Sequence, residues 1–176
     1  GLYIIKIQVE EWLYFLVISY ACDFSYEVVI TYFKRIGKGK AAGTVNLVLI
    51  GLALVMIVAF RTKAYTLATF SMMALMLALQ HWLLKSPWMQ SFYLSCLMIL
   101  LPFMVIDGLL TGTFIAGEVV WYNNNETMDL RIGTIPLEDI FYGFVIIPGN
   151  ITLYEAFRQR SIKQKQNPDG SGFPDK

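Results

Sequence analysis

Long apolar stretches dominate this chain and limit the folds open to it. A helix needs about 20 apolar residues to cross the hydrocarbon core of a bilayer. Five stretches approach that length: Val9 to Phe33, Val45 to Phe60, Ala64 to Leu84, Phe92 to Phe114, and Ile135 to Phe157. With 56% hydrophobic and 15% charged residues, a soluble domain would be covered in apolar patches. The sequence therefore predicts an all-α, polytopic membrane bundle of five transmembrane helices.

The predicted membrane domain covers residues 1–158, and a polar tail of residues 159–176 follows it. The tail ends in a segment rich in Asn, Pro, Asp, Gly and Ser, a composition that buries too little surface to order itself, so we expect it to be disordered.

The second apolar stretch is short. We expect its helix to extend back through Ala41, Ala42 and Gly43, or to lie where the bilayer thins.

A short motif rich in acidic and aromatic residues occurs twice. Val9-Glu10-Glu11-Trp12-Leu13-Tyr14 opens the first stretch, and Leu137-Glu138-Asp139-Ile140-Phe141-Tyr142 opens the fifth, at an offset of 128 residues. The same offset aligns Tyr26-Glu27 with Tyr154-Glu155. The chain thus has an internal repeat whose copies start near residues 7 and 135. Four helices separate the two starts, so the repeats are parallel, and packing helix 1 beside helix 5 would bring both acidic pairs into one cluster.

The distribution of basic residues predicts how the bundle is oriented. Ten of the fourteen lysines and arginines fall on one side of the predicted topology: Lys34, Arg35, Lys38, Lys40, Lys85, Arg158, Arg160, Lys163, Lys165 and Lys176. The opposite side carries Lys6, Arg61, Lys63 and Arg131. By the positive-inside rule the larger group faces the cytoplasm. We therefore expect an integral protein of a bacterial cytoplasmic membrane with its acidic pairs at the non-cytoplasmic side.

Several classes of chemistry are excluded by residues that the chain lacks. It has no dinucleotide-binding glycine motif after a strand and no phosphate-binding loop. A single histidine, His81, argues against multi-histidine metal and haem sites, so we expect no metal. Every lysine lies in a loop, a tail or a helix end, which excludes a retinal Schiff base. The apolar composition indicates a lipid bilayer as partner, and we expect no nucleic acid. No cofactor is evident, although a flavin bound without a recognisable motif stays open.

The remaining chemistry is that of carboxylates and aromatic rings in an apolar environment. Acidic residues at a membrane boundary are costly and are often functional. When two carboxyl groups are desolvated side by side, one of them tends to stay protonated and can act as a general acid. The plainer interpretation is that each acidic pair stabilises a helix N-terminus through the helix dipole, with Pro136 suited to the first turn.

Four segments of the sequence resemble the integral-membrane lycopene cyclase family, which has two-subunit and fused forms and is joined to phytoene synthase in fungi. The resemblance extends over nearly the whole chain to about Arg158. It is carried by Tyr20-Ala21-Cys22, Gly108-Leu109-Leu110-Thr111-Gly112-Thr113-Phe114, Val119-Val120-Trp121-Tyr122-Asn123-Asn124, and Arg131-Ile132-Gly133-Thr134-Ile135-Pro136-Leu137-Glu138-Asp139-Ile140-Phe141-Tyr142-Gly143.

The resemblance implies conversion of the ψ end groups of lycopene to β-ionone rings, a redox-neutral isomerisation. A proton added at C2 makes a tertiary cation at C1, the C5=C6 bond closes on it, and loss of the C6 proton completes the ring. By resemblance, Glu138 and Glu10 are the acid or base, and Asp139 and Glu11 are their partners. Aromatic faces would stabilise the cation, the candidates being Trp12, Tyr14, Trp121, Tyr122 and Tyr142. The supporting polar residues would be Arg131, holding a carboxylate ionised, and Asn150, hydrogen-bonding within the bundle. Asp107, a lone acid within the fourth stretch, is either a further buried polar partner or a second proton site.

The chain also departs from the family pattern. Gln8 and Ser19 stand where proline is usual, and Asp23 stands where the family is aliphatic. Two further apolar segments precede the first acidic pair in the family, so we expect this chain to lack two N-terminal helices. Two alternatives follow: a membrane carrier of a carotenoid or other apolar ligand, or a non-catalytic subunit acting within a homo- or hetero-oligomer. A carrier would favour acids near the bilayer centre and broken helices.

Overall fold

The computed structural model describes residues 3–4, 7–33, 41–113, 117 and 119–166. It is an all-α, membrane-like bundle with two short hairpins. The elements are β1 (Tyr3–Ile4), β2 (Ile7–Gln8), α1 (Val9–Tyr32), α2 (Ala41–Ala59), α3 (Ala64–Ala78, continued by a π-helical turn Leu79–Leu84), α4 (Met89–Leu110), β3 (Arg131–Ile132), β4 (Ile135–Pro136) and α5 (Leu137–Gln166). Within the described residues, four segments are long and apolar enough to cross a membrane: Ala41–Ala59, Ala64–Leu84, Met89–Leu110 and Leu137–Ile162.

The helix bounds follow the apolar stretches with three differences. The second helix begins at Ala41, as its expected extension requires. The fourth begins at Met89 and ends at Leu110, four residues before the predicted end, because the chain turns at Gly112 with a φ of 90°. The fifth runs to Gln166 instead of ending at Phe157. The predicted disordered tail is therefore wrong for residues 159–166, where Arg, Gln and Lys favour helix. The remainder, residues 167–176, lies outside the described residues.

The two copies of the internal repeat have the same secondary structure at the 128-residue offset. In the first hairpin Tyr3 pairs with Gln8 and Ile4 with Ile7, and in the second Arg131 pairs with Pro136 and Ile132 with Ile135. A long helix follows each hairpin directly, starting at Val9 and at Leu137. A hairpin followed by a helix is thus the repeated unit.

Helices α1 and α5 pack side by side in parallel, as the repeat predicts. Asn150 Nδ2 donates to Ser19 Oγ at 3.1 Å. Further along both helices, Tyr26 donates to Glu155 at 2.7 Å, and Tyr154 donates reciprocally to Glu27. Each tyrosine of one repeat therefore binds the glutamate of the other, an exchange typical of two-fold related surfaces. Arg158 lies 3.1 Å from Glu155 and 3.6 Å from Glu27, and so bridges the two glutamates.

Removing the hydrogen bond from Tyr26 to Glu155 is expected to weaken the packing of α1 against α5. Tyr26 is 1% exposed, and Tyr26→Phe deletes its hydroxyl while keeping its ring. Hydrogen bonds between membrane helices contribute about 0.6 kcal/mol on average and up to about 1.7. We expect a loss in this range in the free energy of unfolding, measured by denaturant titration in detergent. The control is Tyr20→Phe, at a 72% exposed position of the same helix. An equal loss in both variants would show that the reciprocal bonds do not stabilise the pair.

Aromatic side chains fill the centre of the bundle. Phe70 of α3 meets Phe141 of α5 at 5.1 Å between ring centroids, and Phe92 of α4 meets Phe144 of α5 at 5.9 Å. α2 packs on α3 and α4, where the Tyr93 hydroxyl donates to the buried Asn46 side chain. The centre is therefore built mainly from α3, α4 and α5.

Candidate active site

Two acidic residues open α5, and the hairpin before it positions them. The N–H of Leu137 donates to the carbonyl of Leu130 at 2.9 Å, which ties the helix start to the preceding loop. Glu138 and Asp139 follow in the first turn, where negative charge interacts favourably with the helix dipole. The start of α3 lies at the same end of the bundle, because Tyr65 and Thr66 contact these two acids.

Glu138 is fully buried at 0% exposure. Its Oε1 atom accepts two hydrogen bonds, from Thr66 Oγ1 at 2.6 Å and from the backbone N–H of Met128 at 2.7 Å. Its Oε2 atom is buried and accepts no hydrogen bond from the described residues. The side chain therefore holds together the start of α3, the start of α5 and the loop before the second hairpin.

Asp139 has a different environment from its neighbour. Its Oδ1 atom accepts a hydrogen bond of 2.5 Å from the Tyr65 hydroxyl. Tyr65 is itself held in place, because its backbone N–H donates to the carbonyl of Glu126 at 3.0 Å and its ring lies 5.8 Å from the ring of Tyr122. Unlike Glu138, Asp139 lines a cavity.

The cavity has a volume of about 440 Å³ and lies between α1, α4 and α5, with Tyr65 of α3 in its wall. This volume falls in the range of sites that enclose small apolar ligands. Most of the wall is aliphatic or aromatic, and Asp139 is the one carboxylate among the described residues that line it. Four tyrosines surround the space: Tyr65, Tyr93, Tyr122 and Tyr142. A single acid among aromatic rings in an apolar space is suited to proton transfer to a hydrocarbon.

A comparison with models of known protein families shows which family the chain belongs to. A family model described as Lycopene cyclase matches residues 1–29 and 62–157, which is most of the chain. The chain belongs to the lycopene cyclase family. The matched ranges contain both acidic pairs, the tyrosines of the cavity and the whole 119–136 loop and hairpin. The unmatched segment, residues 30–61, contains α2. No match was found among curated proteins or among solved structures.

Part of the predicted aromatic set lies in the cavity of this cyclase-family protein. Tyr122 and Tyr142 line it, as an aromatic site for a cation requires. Trp121 is not brought to the site, because it is 75% exposed and lies outside the cavity wall. The side chains of Glu10, Glu11, Trp12 and Tyr14 lie outside the described residues, so the expected cluster of four carboxylates stays a prediction. Their helix, α1, reaches the cavity through Ile18 and Cys22.

The three supporting polar residues have separate surroundings. Arg131 donates to the Thr134 carbonyl at 3.0 Å and to Asn124 Oδ1 at 2.5 Å. It forms no ion pair within the described part of the chain, so its expected pairing with a carboxylate is not seen: the guanidinium fastens the hairpin turn instead. Asn150 makes the helix–helix bond expected of it. Asp107 is buried near the end of α4.

Sequence reasoning missed Tyr65, Thr66 and Tyr93. The first two lie in the first turn of the third apolar stretch, where an aromatic residue is usually interpreted as a membrane-interface anchor. A topological signal was nonetheless present: odd-numbered helices of an alternating bundle begin on one side, so the start of α3 belongs with the start of α5. For Tyr93, in the middle of a uniformly apolar stretch, no such signal exists. Among the described residues, no three His, Cys, Asp or Glu side chains are grouped to hold a metal ion.

Proposed function

We propose that this chain is a lycopene cyclase that converts the ψ end group of lycopene to a β-ionone ring in the Asp139 cavity. Membership of the family supports a carotenoid cyclase-related role. The observation that best supports the specific reaction is the cavity, where the Asp139 carboxyl group lines an apolar space rich in tyrosine. From the excess of basic residues at the opposite end, we infer that this site lies at the non-cytoplasmic side.

The reaction balances with a single carboxyl group. Protonated Asp139 donates its proton to C2 of the end group, which leaves a carboxylate and a tertiary cation at C1. The electrons of the C5=C6 bond form the C1–C6 bond and move the positive charge to C5. The carboxylate then removes the C6 proton, whose electrons form the new C5=C6 double bond. Asp139 returns to its protonated state, and no electrons are gained or lost overall.

The cavity wall supplies the remaining requirements of a carbocation. Aromatic rings attract a cation by about 0.5 to 2 kcal/mol each, depending on desolvation. Tyr65, Tyr122 and Tyr142 lie in the wall beside Asp139, and Phe103 and Phe144 extend the aromatic lining. The aliphatic remainder excludes water, which would otherwise add to the cation and give an alcohol.

Glu138 acts on this reaction as a positioning residue. Its bonds to Thr66 and Met128 fix the first turn of α3, which carries Tyr65, and the loop that carries Tyr122. Tyr65 in turn orients Asp139 through its 2.5 Å hydrogen bond. The two acids of the pair thus have separate roles: one contacts the substrate and the other holds the wall together.

A carrier function receives less support. The acids lie in the first turn of α5 rather than at its centre, and α4 and α5 continue as helices through Pro102 and Pro148. Helices broken at these prolines, of the kind that transporters use, are not seen among the described residues.

A single-turnover experiment in deuterated water tests the proposed step. Protein in excess over lycopene is equilibrated in deuterated water before mixing, so that the carboxyl group carries deuterium. Each ring formed is expected to contain one deuterium at the former C2, detected by mass spectrometry and NMR of the extracted product. Rings without deuterium at that carbon would contradict protonation by an exchangeable acid.

Deleting the Tyr65 hydroxyl is expected to slow the reaction. Tyr65→Phe keeps the ring in the wall but removes the hydrogen bond that orients Asp139. We expect kcat to fall by about 10- to 100-fold, since misplacement of a reacting group has costs of this size, with little change in KM. Tyr93→Phe is the matched control, because Tyr93 lines the same cavity but its hydroxyl donates to Asn46. Equal falls in kcat for the two variants would contradict the positioning role.

A further inference from the structure

A second depression lies beside the Asp139 cavity, on the outer face of α4. Its volume is about 600 Å³. The helix contributes Leu97, Leu100, Leu101, Met104 and Val105 to its wall, and the hairpin before α5 closes one end with Ile132. Leu97, Leu101 and Val105 are spaced four residues apart and therefore form one stripe along the helix.

The groove adjoins the cavity. Leu97 and Leu100 of α4 line both spaces, so the two lie side by side and share these side chains. The groove faces outward, since Leu97 is 67% exposed and Leu101 is 74% exposed. No charged side chain of the described part of the chain lines it, and Thr113 is its single polar side chain. Its floor is thus apolar and open to the acyl chains of a bilayer.

The two spaces differ in what they can hold. The cavity is of a size that encloses a drug-sized molecule. A carotenoid is far longer, so an end group that fills the cavity leaves most of its polyene chain outside. An apolar surface beside the cavity would bind that remainder more tightly than the acyl chains of the bilayer alone. The groove is such a surface, because it starts at the shared leucines and runs along α4.

We propose that the α4 groove is the binding site for the polyene chain of the substrate, a proposal that rests on the function proposed above. The substrate reaches the site sideways from the bilayer, with its chain along the Leu97–Leu101–Val105 stripe and one end group against Asp139. The distal end group lies outside the cavity. The two end groups therefore enter the cavity one at a time.

Two neighbouring residues of α4 provide a matched test. Val105 and Ile106 are both β-branched and are 48% and 47% exposed, but only Val105 lines the groove. Val105→Trp fills the groove, whereas Ile106→Trp adds the same ring elsewhere on the helix surface. Each full-length variant is reconstituted in phosphatidylcholine vesicles containing lycopene, re-isolated in detergent, and extracted to measure bound carotenoid per protein. A short terpenoid that carries the same end group without a long polyene serves as a second probe.

The expected result is that Val105→Trp retains about tenfold less total carotenoid than wild type. Ile106→Trp should retain as much as wild type, and both variants should bind the short probe normally. Equal retention of carotenoid by the two variants would overturn the groove while leaving the cyclase function standing. Loss of the short probe in Val105→Trp would also overturn it, because the effect would then lie in the cavity. A wild-type chain that retains neither compound would overturn both proposals. A wild-type chain that retains lycopene without converting it, with Val105→Trp impaired, would support the groove and contradict the reaction.

Discussion

Asp139→Asn is expected to abolish ring formation while the protein still binds carotenoid. Asparagine has nearly the same shape and can still accept the Tyr65 hydrogen bond, but it can neither give a proton to C2 nor take one from C6. General acid–base groups contribute about 100- to 10,000-fold to rates. Because Asp139 is proposed to serve in both steps, we expect a fall of at least about 100-fold in turnover, measured by chromatography of the products, with total bound carotenoid per protein unchanged.

The neighbouring acid supplies the control for this experiment. Glu138→Gln keeps the Oε1 acceptor that Thr66 and Met128 bind, so the cavity wall is preserved. We expect this variant to retain turnover within about tenfold of wild type, because small shifts of the cavity wall lower the rate less than loss of the acid does. The reverse pattern, an inactive Glu138→Gln beside an active Asp139→Asn, would move the acid to Glu138 and contradict the assignment.

Glu138→Leu is expected to cause the largest loss of stability. Leucine removes the acceptor for Thr66 Oγ1 and the Met128 N–H, two donors that are then buried without a partner. An unsatisfied buried donor costs about 1 to 3 kcal/mol, so we expect a loss of roughly 2 to 5 kcal/mol in the free energy of unfolding. Denaturant titration in detergent measures this loss, and Glu138→Gln should recover most of it.

A double-mutant cycle separates the hydrogen bond from simple changes in packing. In a Thr66→Val background one of the two donors is already gone, so Glu138→Leu should cost less there than in wild type. A loss that is the same in both backgrounds would show that the Thr66 bond does not account for the effect. A loss below about 0.5 kcal/mol, the level of surface substitutions, would show that Glu138 does not hold the wall.

Much of the fold was predictable because a membrane bundle is encoded by long apolar runs. The third helix spans the predicted Ala64–Leu84, and the pairing of α1 with α5 follows from the repeat. The ends were less predictable. At the end of α5, favourable helix propensity and the ion pair of Arg158 with Glu155 extend the helix into the segment predicted as tail.

The position of Glu138 and Asp139 at the start of α5 was predictable, but the different surroundings of the two side chains were not. The motif presents Glu138 and Asp139 as a pair, but adjacent residues of a helix point in different directions. Glu138 consequently turns toward Thr66 while Asp139 turns toward the cavity. Which of the two acids faces the cavity depends on the rotation of α5 about its axis. In the structure, α5 packs Phe141 against Phe70 of α3 and Phe144 against Phe92 of α4. Such packing cannot be read from a sequence motif.

Aromatic residues illustrate the same limit. Tyr122 and Trp121 are adjacent in a loop, and only the first lines the cavity. Tyr65 and Tyr93 complete the wall from helices that carry no acidic motif. Contributions of this kind come from contacts distant in the sequence, and the repeat pattern does not include them.

Pigment analysis tests most directly whether this chain forms β-ionone rings from lycopene. The chain is expressed in a bacterium that accumulates lycopene, its membrane insertion is verified, and the extracted carotenoids are separated by chromatography. We predict β-carotene or its one-ringed relative from the wild-type chain and lycopene alone from Asp139→Asn. Unchanged lycopene beside a well-inserted wild-type protein would contradict the account.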